Sequence, residues 1–268
     1  MPIPEKGENL QVVLQEVLQV VAETMEGNWF NAAVHNYAFA EVVFAEILPE
    51  LRRRSEVLYL DFKDIPSHYP AYKNIQLFFE RCQQEGLNPR LPEHRQRFNN
   101  EFLERTGGRY LIGRYLEDRI EMLRGSSIAE EGRTLHLGID LFSRDLEPVF
   151  TPYNGIIART GREPGPYGYG NYLIVDHQTK RNQWYSFFGH LSHQLPSPGR
   201  AVQRGEQIAV LGDFSNNENG GWSRHLHYQL LTELPPEGET PQGYCRKEDV
   251  EKCQERFPDP RMVLGTIY

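Results

Sequence analysis

The residues best suited to chemistry fall in two short segments, HLGID with His136 and Asp140, and HLHYQ with His225 and His227. His190, in FFGHLS, lies between them. An open catalytic zinc site takes three protein ligands and keeps a fourth position for water. Histidines and an aspartate supply such a set, and the imidazoles left over can move protons. In a strand, side chains alternate faces, so His225 and His227 point the same way. One then binds a cation while its neighbour stands beside the open position, and spacing alone does not choose between them. His136 and Asp140 are also an even number apart, with small Gly138 between, so they are expected on one face of a strand. An aspartate ligand leaves a Zn²⁺ site with residual positive charge, which acidifies water and polarises a carbonyl.

The elements that must position these residues divide the chain. Leu10, Val13, Leu14, Val17, Leu18, Val21 and Met25 recur at three- and four-residue steps, which predicts an amphipathic helix over 8–25. A second helix is expected over 30–53, a third from Asn74 to Gln84 stopped by Gly86, and a fourth from Glu93 to Arg105. From Arg109 the texture changes. RYLIGRYLEDRIEML reads as a strand then a short helix, and LHLGIDL, GIIART, YLIVDH, WYSFFGHL, EQIAVLGD and HLHYQLL read as strands cut by Gly and Pro. No stretch between Asp140 and Leu231 is long enough for a crossover helix, so the strands should be antiparallel. The expected fold is α+β: a helical N-terminal domain (1–108), a bridge (109–132) and an antiparallel β-domain (133–268) that is itself all-β.

Composition narrows the function. A formal charge of −8 argues against a nucleic-acid partner. No apolar run approaches the length of a membrane span. The start, MPIPEKGENLQVV, lacks the basic-then-apolar order of a secretory signal. Cys82, Cys245 and Cys253 are too few and too scattered for a disulfide framework. Free thiols and a cytoplasmic location are the expectation. His177 and His193 read as strand-end or surface residues outside the site.

The segment from His136 to Leu231 resembles the catalytic domain of the lysostaphin/LytM-type zinc endopeptidases, the glycyl-glycine endopeptidase family, which cut peptide bonds in bacterial cell-wall peptides. The order HLGIDL, EPVFTPYNGII, YGYGNYLIVDH, FFGHLS, PGRAVQRGEQIAVLG, HLHYQL follows that family throughout, and FPDPRMVLG resembles its closing DP segment. The resemblance implies that His136, Asp140 and His227 hold Zn²⁺, and that His190 and His225 activate water and stabilise charge on the scissile carbonyl. It thus selects His227 from the HxH pair. GRYLEDR, RTLHLGIDL and NGGW before HLH also resemble an intracellular branch in which this domain accompanies kinase-like or aminotransferase-like modules. Two departures stand out: the long polar loop GDFSNNENGGWSR with Trp222, and the helical first half.

The resulting expectation is a zinc metallopeptidase whose peptide substrate, of peptidoglycan type, lies between loops contributing Tyr169, Asn171 and Trp222. The helical domain would cover the groove, bind a partner or drive self-association. Two rivals differ in class. A non-catalytic adaptor would have lost functional positions, whereas all five are retained here. A cupin-like oxygenase would need a glutamate close after HxH, and the nearest, Glu233, lies too far on.

Overall fold

A computed structural model describes residues 71–264, apart from Pro89, 107–109 and 179–182. The helices expected over 8–25 and 30–53 lie outside the described residues. Helix α1 spans Ala71–Glu85 and α2 spans Pro92–Thr106, each within a few residues of the reading from sequence. Gly86 follows α1 with φ 67°, a left-handed turn that ends helices cheaply because glycine has no Cβ. Pro92 opens α2, where its missing N–H is no loss.

The chain then enters one seven-stranded sheet. Its strands, in spatial order, are β1 (Leu111–Gly113), β3 (Ile139–Phe142), β10 (His225–Leu231), β7 (Gln183–Leu191), β6 (Gly170–Gln178), β5 (Gly155–Glu163) and β8 (Ala201–Val202). Every neighbouring pair is antiparallel, as the short connections require. Two small ribbons flank it: β2 (Leu135–His136) with β11 (Tyr244–Cys245), and β4 (Pro148–Phe150) with β9 (Gln207–Val210). Strand β1 comes from the segment read as a bridge, yet it forms an edge of the main sheet.

The β-half is not purely β. Short helices α3 (Ile120–Leu123) and α4 (Ser127–Glu130) precede β2, while α5 (Val250–Arg256) and α6 (Arg261–Leu264) close the described chain. The FPDPRMVLG segment therefore ends in a helical turn rather than a strand. No helix among the described residues is long and apolar enough to cross a membrane.

Central strand β10 is buried along its whole length. Alternation sends Leu226, Tyr228 and Leu230 into the main core with Phe188 and Leu173, and leaves His225, His227 and Gln229 on the other face. Full burial of such apolar side chains contributes about 1.5–3 kcal/mol each, so the register of β10 is strongly set. That register places His227 opposite both Asp140 on β3 and Gly189 on β7.

Helix α2 is fastened to this sheet. Phe102 and Leu103 pack on Leu111 and Phe142. Gln96 donates to the Ser143 carbonyl at 2.9 Å and accepts from the Arg224 amide at 2.6 Å. His177 stands at the end of β6, one of the two places expected of it, and is buried there. Its ring stacks on Trp184 and bonds the Asn154 carbonyl and Ser186, because the outer strands β5 to β7 enclose it. His193 is exposed, as expected. Cys82, Cys245 and Cys253 are free and buried.

Candidate metal centre and active site

His136 and Asp140 do not lie on one continuous strand. His136 ends β2, which pairs with β11, and Asp140 sits in β3 of the main sheet, with a break at Leu137–Gly138. Gly138 within that break leaves room for His227: a Cβ there would stand 2.4 Å from the His227 ring carbon Cε1. With that space open, His136, Asp140 and His227, all buried, bring one ligand atom each within 4.8 Å of one another.

The hydrogen bonds around these residues orient their lone pairs inward. His136 Nδ1 lies 3.1 Å from the Arg114 carbonyl, so it donates there, and Nε2 is left as an acceptor. Gln229 donates its amide to the Gln242 carbonyl at 3.0 Å, which turns its oxygen toward His227 Nε2, also at 3.0 Å. His227 Nε2 thus donates, and its Nδ1 lone pair is free. The two free nitrogens stand 3.1 Å apart, and Asp140 Oδ1 lies 2.9 Å from His227 Nδ1 and 3.4 Å from His136 Nε2. Three acceptors converge with no hydrogen between them when both rings are neutral. Two imidazoles and a carboxylate in that state form a donor set suited to a divalent cation such as Zn²⁺.

Asp140 is divided between two duties. Its second oxygen, Oδ2, accepts from Arg119 at 2.6 Å. Arg119 is buried beside Glu117, hydrogen-bonds Tyr244, and owes its position to Gly113, where a Cβ would lie 2.3 Å from the guanidinium. Burial alone would raise the Asp140 pKa, but its contacts with His136 and the charge of Arg119 hold it well below the usual carboxylate value. Neither Arg119 nor Gln229 was singled out from sequence. Gln229 shares the face of His225 and His227 at the next even step of HLHYQ, a signal that was available; Arg119 had none.

His190 and His225 form a second pair, with ring centroids 4.2 Å apart. His190 Nδ1 donates to the Asn219 carbonyl at 2.9 Å and His225 Nδ1 to the Ser223 carbonyl at 2.7 Å. Each therefore carries its lone pair on Nε2. Both line the same cavity as Asp140 and His227, about 360 Å³ in volume. His190 adopts φ 62°, a conformation rare for a residue with a Cβ and found where a functional site over-determines the backbone. Its amide bonds the Tyr169 carbonyl at 2.8 Å, and its carbonyl accepts from Gly212, which fixes the kink.

Of the residues expected to meet substrate, Tyr169 and Trp222 line the cavity. Trp222 is buried in its wall rather than standing at a rim, with its indole N–H directed to the Gly168 carbonyl. Asn171 is not among the lining residues. It lies in β6, where its amide bonds the Leu191 carbonyl at 3.2 Å and its backbone bonds Glu218, so it braces the loop instead.

Burial keeps His136, His177, His190 and His225 neutral. It lowers the pKa of His225 to about 4, that of His177 to about 4, and, with the Arg119 charge, that of His136 to about 3; His190 also falls well below the usual value. An unfolded chain takes up those protons near pH 6.5 while the folded one does not. Stability of the metal-free protein is therefore complete above about pH 6.5 and falls toward pH 4, by about 1.4 kcal/mol per pH unit for each such group. Melting temperatures across that interval should drop steeply. A flat profile would contradict the neutral, buried state of these rings.

The antiparallel strands thus carry a His–Asp–His cluster that could hold a metal ion, beside a second pair of histidines. Residues 134–238 match the model of Peptidase family M23. The chain's relatives include the peptidoglycan DD-endopeptidase ShyA of Vibrio cholerae, 32% identical over 38% of this chain and 21% of ShyA. An uncharacterized metalloprotease of Haemophilus influenzae is 30% identical over 35% of this chain and 18% of that protein. The chain thus spans about a fifth of the length of the curated relatives it matches. The catalytic domain of lysostaphin from Staphylococcus simulans is similar at 21% identity over 50% of this chain and 81% of that one, with a TM-score of 0.36.

Proposed function

We propose that the β-domain is a zinc-dependent endopeptidase that hydrolyses an amide bond in a peptide of cell-wall type. The observation that carries this reading is the convergence of three lone pairs, from His136 Nε2, His227 Nδ1 and Asp140 Oδ1, on one point beside a cavity lined by two further neutral imidazoles. When bound, a zinc ion would acidify water and polarise the scissile carbonyl.

The chain's own residues supply the rest. His225 and His190, with Nδ1 tied to carbonyls, offer Nε2 to accept a proton from the attacking water and then to donate to the charge that develops on the carbonyl or to the leaving amine. Asp140 keeps Oδ1 toward the ligand cluster because Arg119 occupies Oδ2. Tyr169 and Trp222 wall the cavity and limit water around the reacting bond. The relatives support the substrate class through the peptidoglycan endopeptidase among them.

Zinc-loaded full-length protein should cleave members of a panel of glycine-rich, D-amino-acid-containing and ordinary peptides, and His227→Ala should lose the bound metal together with the activity. Elemental analysis of the purified protein reads the first point and turnover the second. A chain that takes up no zinc at micromolar free metal would favour a non-catalytic adaptor.

A further inference from the structure

A second cavity, about 920 Å³, lies against the first. Met122, Pro166, Tyr167 and Trp222 line both, so the two share a wall in which Tyr167 and Trp222 meet edge to face at 5.5 Å. Its charge runs opposite to that of the chain. In a protein of net charge −8, Arg90, Arg95 and Arg124 line this cavity and Glu121 is the acidic residue among its lining.

Each arginine is placed by a local feature. Arg95, on α2, stacks its guanidinium over the Trp222 ring at 5.1 Å, and its sheltered Nε has no hydrogen-bond partner among the described residues. A buried donor left without an acceptor costs about 1–3 kcal/mol and calls for a ligand that supplies one. Arg90 reaches over Gly125, where a Cβ would stand 3.3 Å from its Nη2. Arg124 pairs with Glu121 at 2.6 Å on the exposed side, leaving its other donors free to turn. All three lie outside residues 134–238, in the turn before α2, on α2 and just after α3, so this wall is an addition to the segment shared with relatives.

We propose that this cavity is an anion subsite that binds a carboxylate carried by the peptide substrate, next to the bond held at the ligand cluster. The assignment rests on the peptidase reading above, and it gives the helices α2 and α3 a part in substrate selection. A planar guanidinium fork matches a carboxylate with two parallel hydrogen bonds, and its stacking on Trp222 holds it in place for that contact.

The test is calorimetric binding of acetylated tetraglycine amides in which one position, taken in turn, is Glu or Gln. Full-length protein dialysed free of metal is used, so the result does not depend on hydrolysis. In at least one pair the Glu peptide should bind about tenfold more tightly. Arg90→Gln/Arg124→Gln, on the exposed side, and Arg95→Met should each bring the pair within about twofold. Should Arg95→Met fail to fold, the double variant decides. Equal binding of Glu and Gln peptides at every position, or an unchanged preference in a double variant that melts like wild type, would overturn the proposal. Inorganic phosphate binding more tightly than every Glu peptide would assign the cavity to a free anion and overturn it too.

Discussion

Alanine at His225 lowers peptide turnover by about 10²- to 10⁴-fold while metal content and fold persist, the usual cost of removing a positioned proton-transfer group. The geometry leads to this result. His225 is buried against Phe142, its Nδ1 is committed to the Ser223 carbonyl, and Nε2 faces the cavity without joining the three-atom ligand cluster. With its pKa drawn down to about 4 by burial, it is a neutral base at ordinary pH. His190 should behave alike, but the informative substitution there is His190→Asn, because φ 62° is better tolerated by asparagine than by alanine. Paired measurements of kcat and zinc stoichiometry read the outcome. Full turnover in His225→Ala would remove that residue from the mechanism.

Arg119→Met should destabilise the metal-free protein by about 3–5 kcal/mol, since breaking a buried ion pair leaves its partner charged and without compensation. Arg119, Asp140 and Glu117 are all nearly inaccessible, so water cannot take over the lost contacts. The size of the loss should depend on zinc. A cation at the cluster restores a positive neighbour to Asp140, so added zinc should raise the melting temperature of Arg119→Met by more than it raises that of wild type. Denaturation with and without zinc, on wild type, Arg119→Met and Asp140→Asn, separates the terms. Equal stability of Arg119→Met and wild type without zinc would show that Asp140 is not held by this contact.

The sequence made the chemistry visible sooner than its supports. HLGID, FFGHLS and HLHYQ carry the five residues proposed for the site, and the period-two pattern of β10 placed His225 and His227 on one face. What periodicity misses is contact between distant segments. Arg119 reaches Asp140 because β1 and the turn after it fold against β3, a pairing that nothing in RYLIGRYLEDR announces. Arg95 meets Trp222 because Phe102, Leu103 and Gln96 fasten α2 to the sheet. From sequence, Asn171 belongs to an aromatic and amide-rich loop expected to meet substrate. Its amide bonds the Leu191 carbonyl instead, and a one-dimensional reading does not distinguish a bracing amide from a binding one. The spacing of His136 and Asp140 suggested one strand, whereas the chain breaks at Leu137–Gly138, where the missing Cβ leaves room for the His227 ring. Burial on both faces of the central strands hides such breaks, because polar and apolar positions there are equally enclosed.

The pairing of β2 with β11 carries a consequence for how this protein is handled. His136 is tethered through Tyr244 to a part of the chain beyond the stretch recognisable in relatives, and Arg119 precedes that stretch. An excised fragment cut at 134 and 238 would retain His136, Asp140, His190, His225 and His227 yet lose the struts that align two of them. The smallest fragment that keeps this cluster in register is therefore wider than residues 134–238, and a library of truncations should begin before β1 and end after α5.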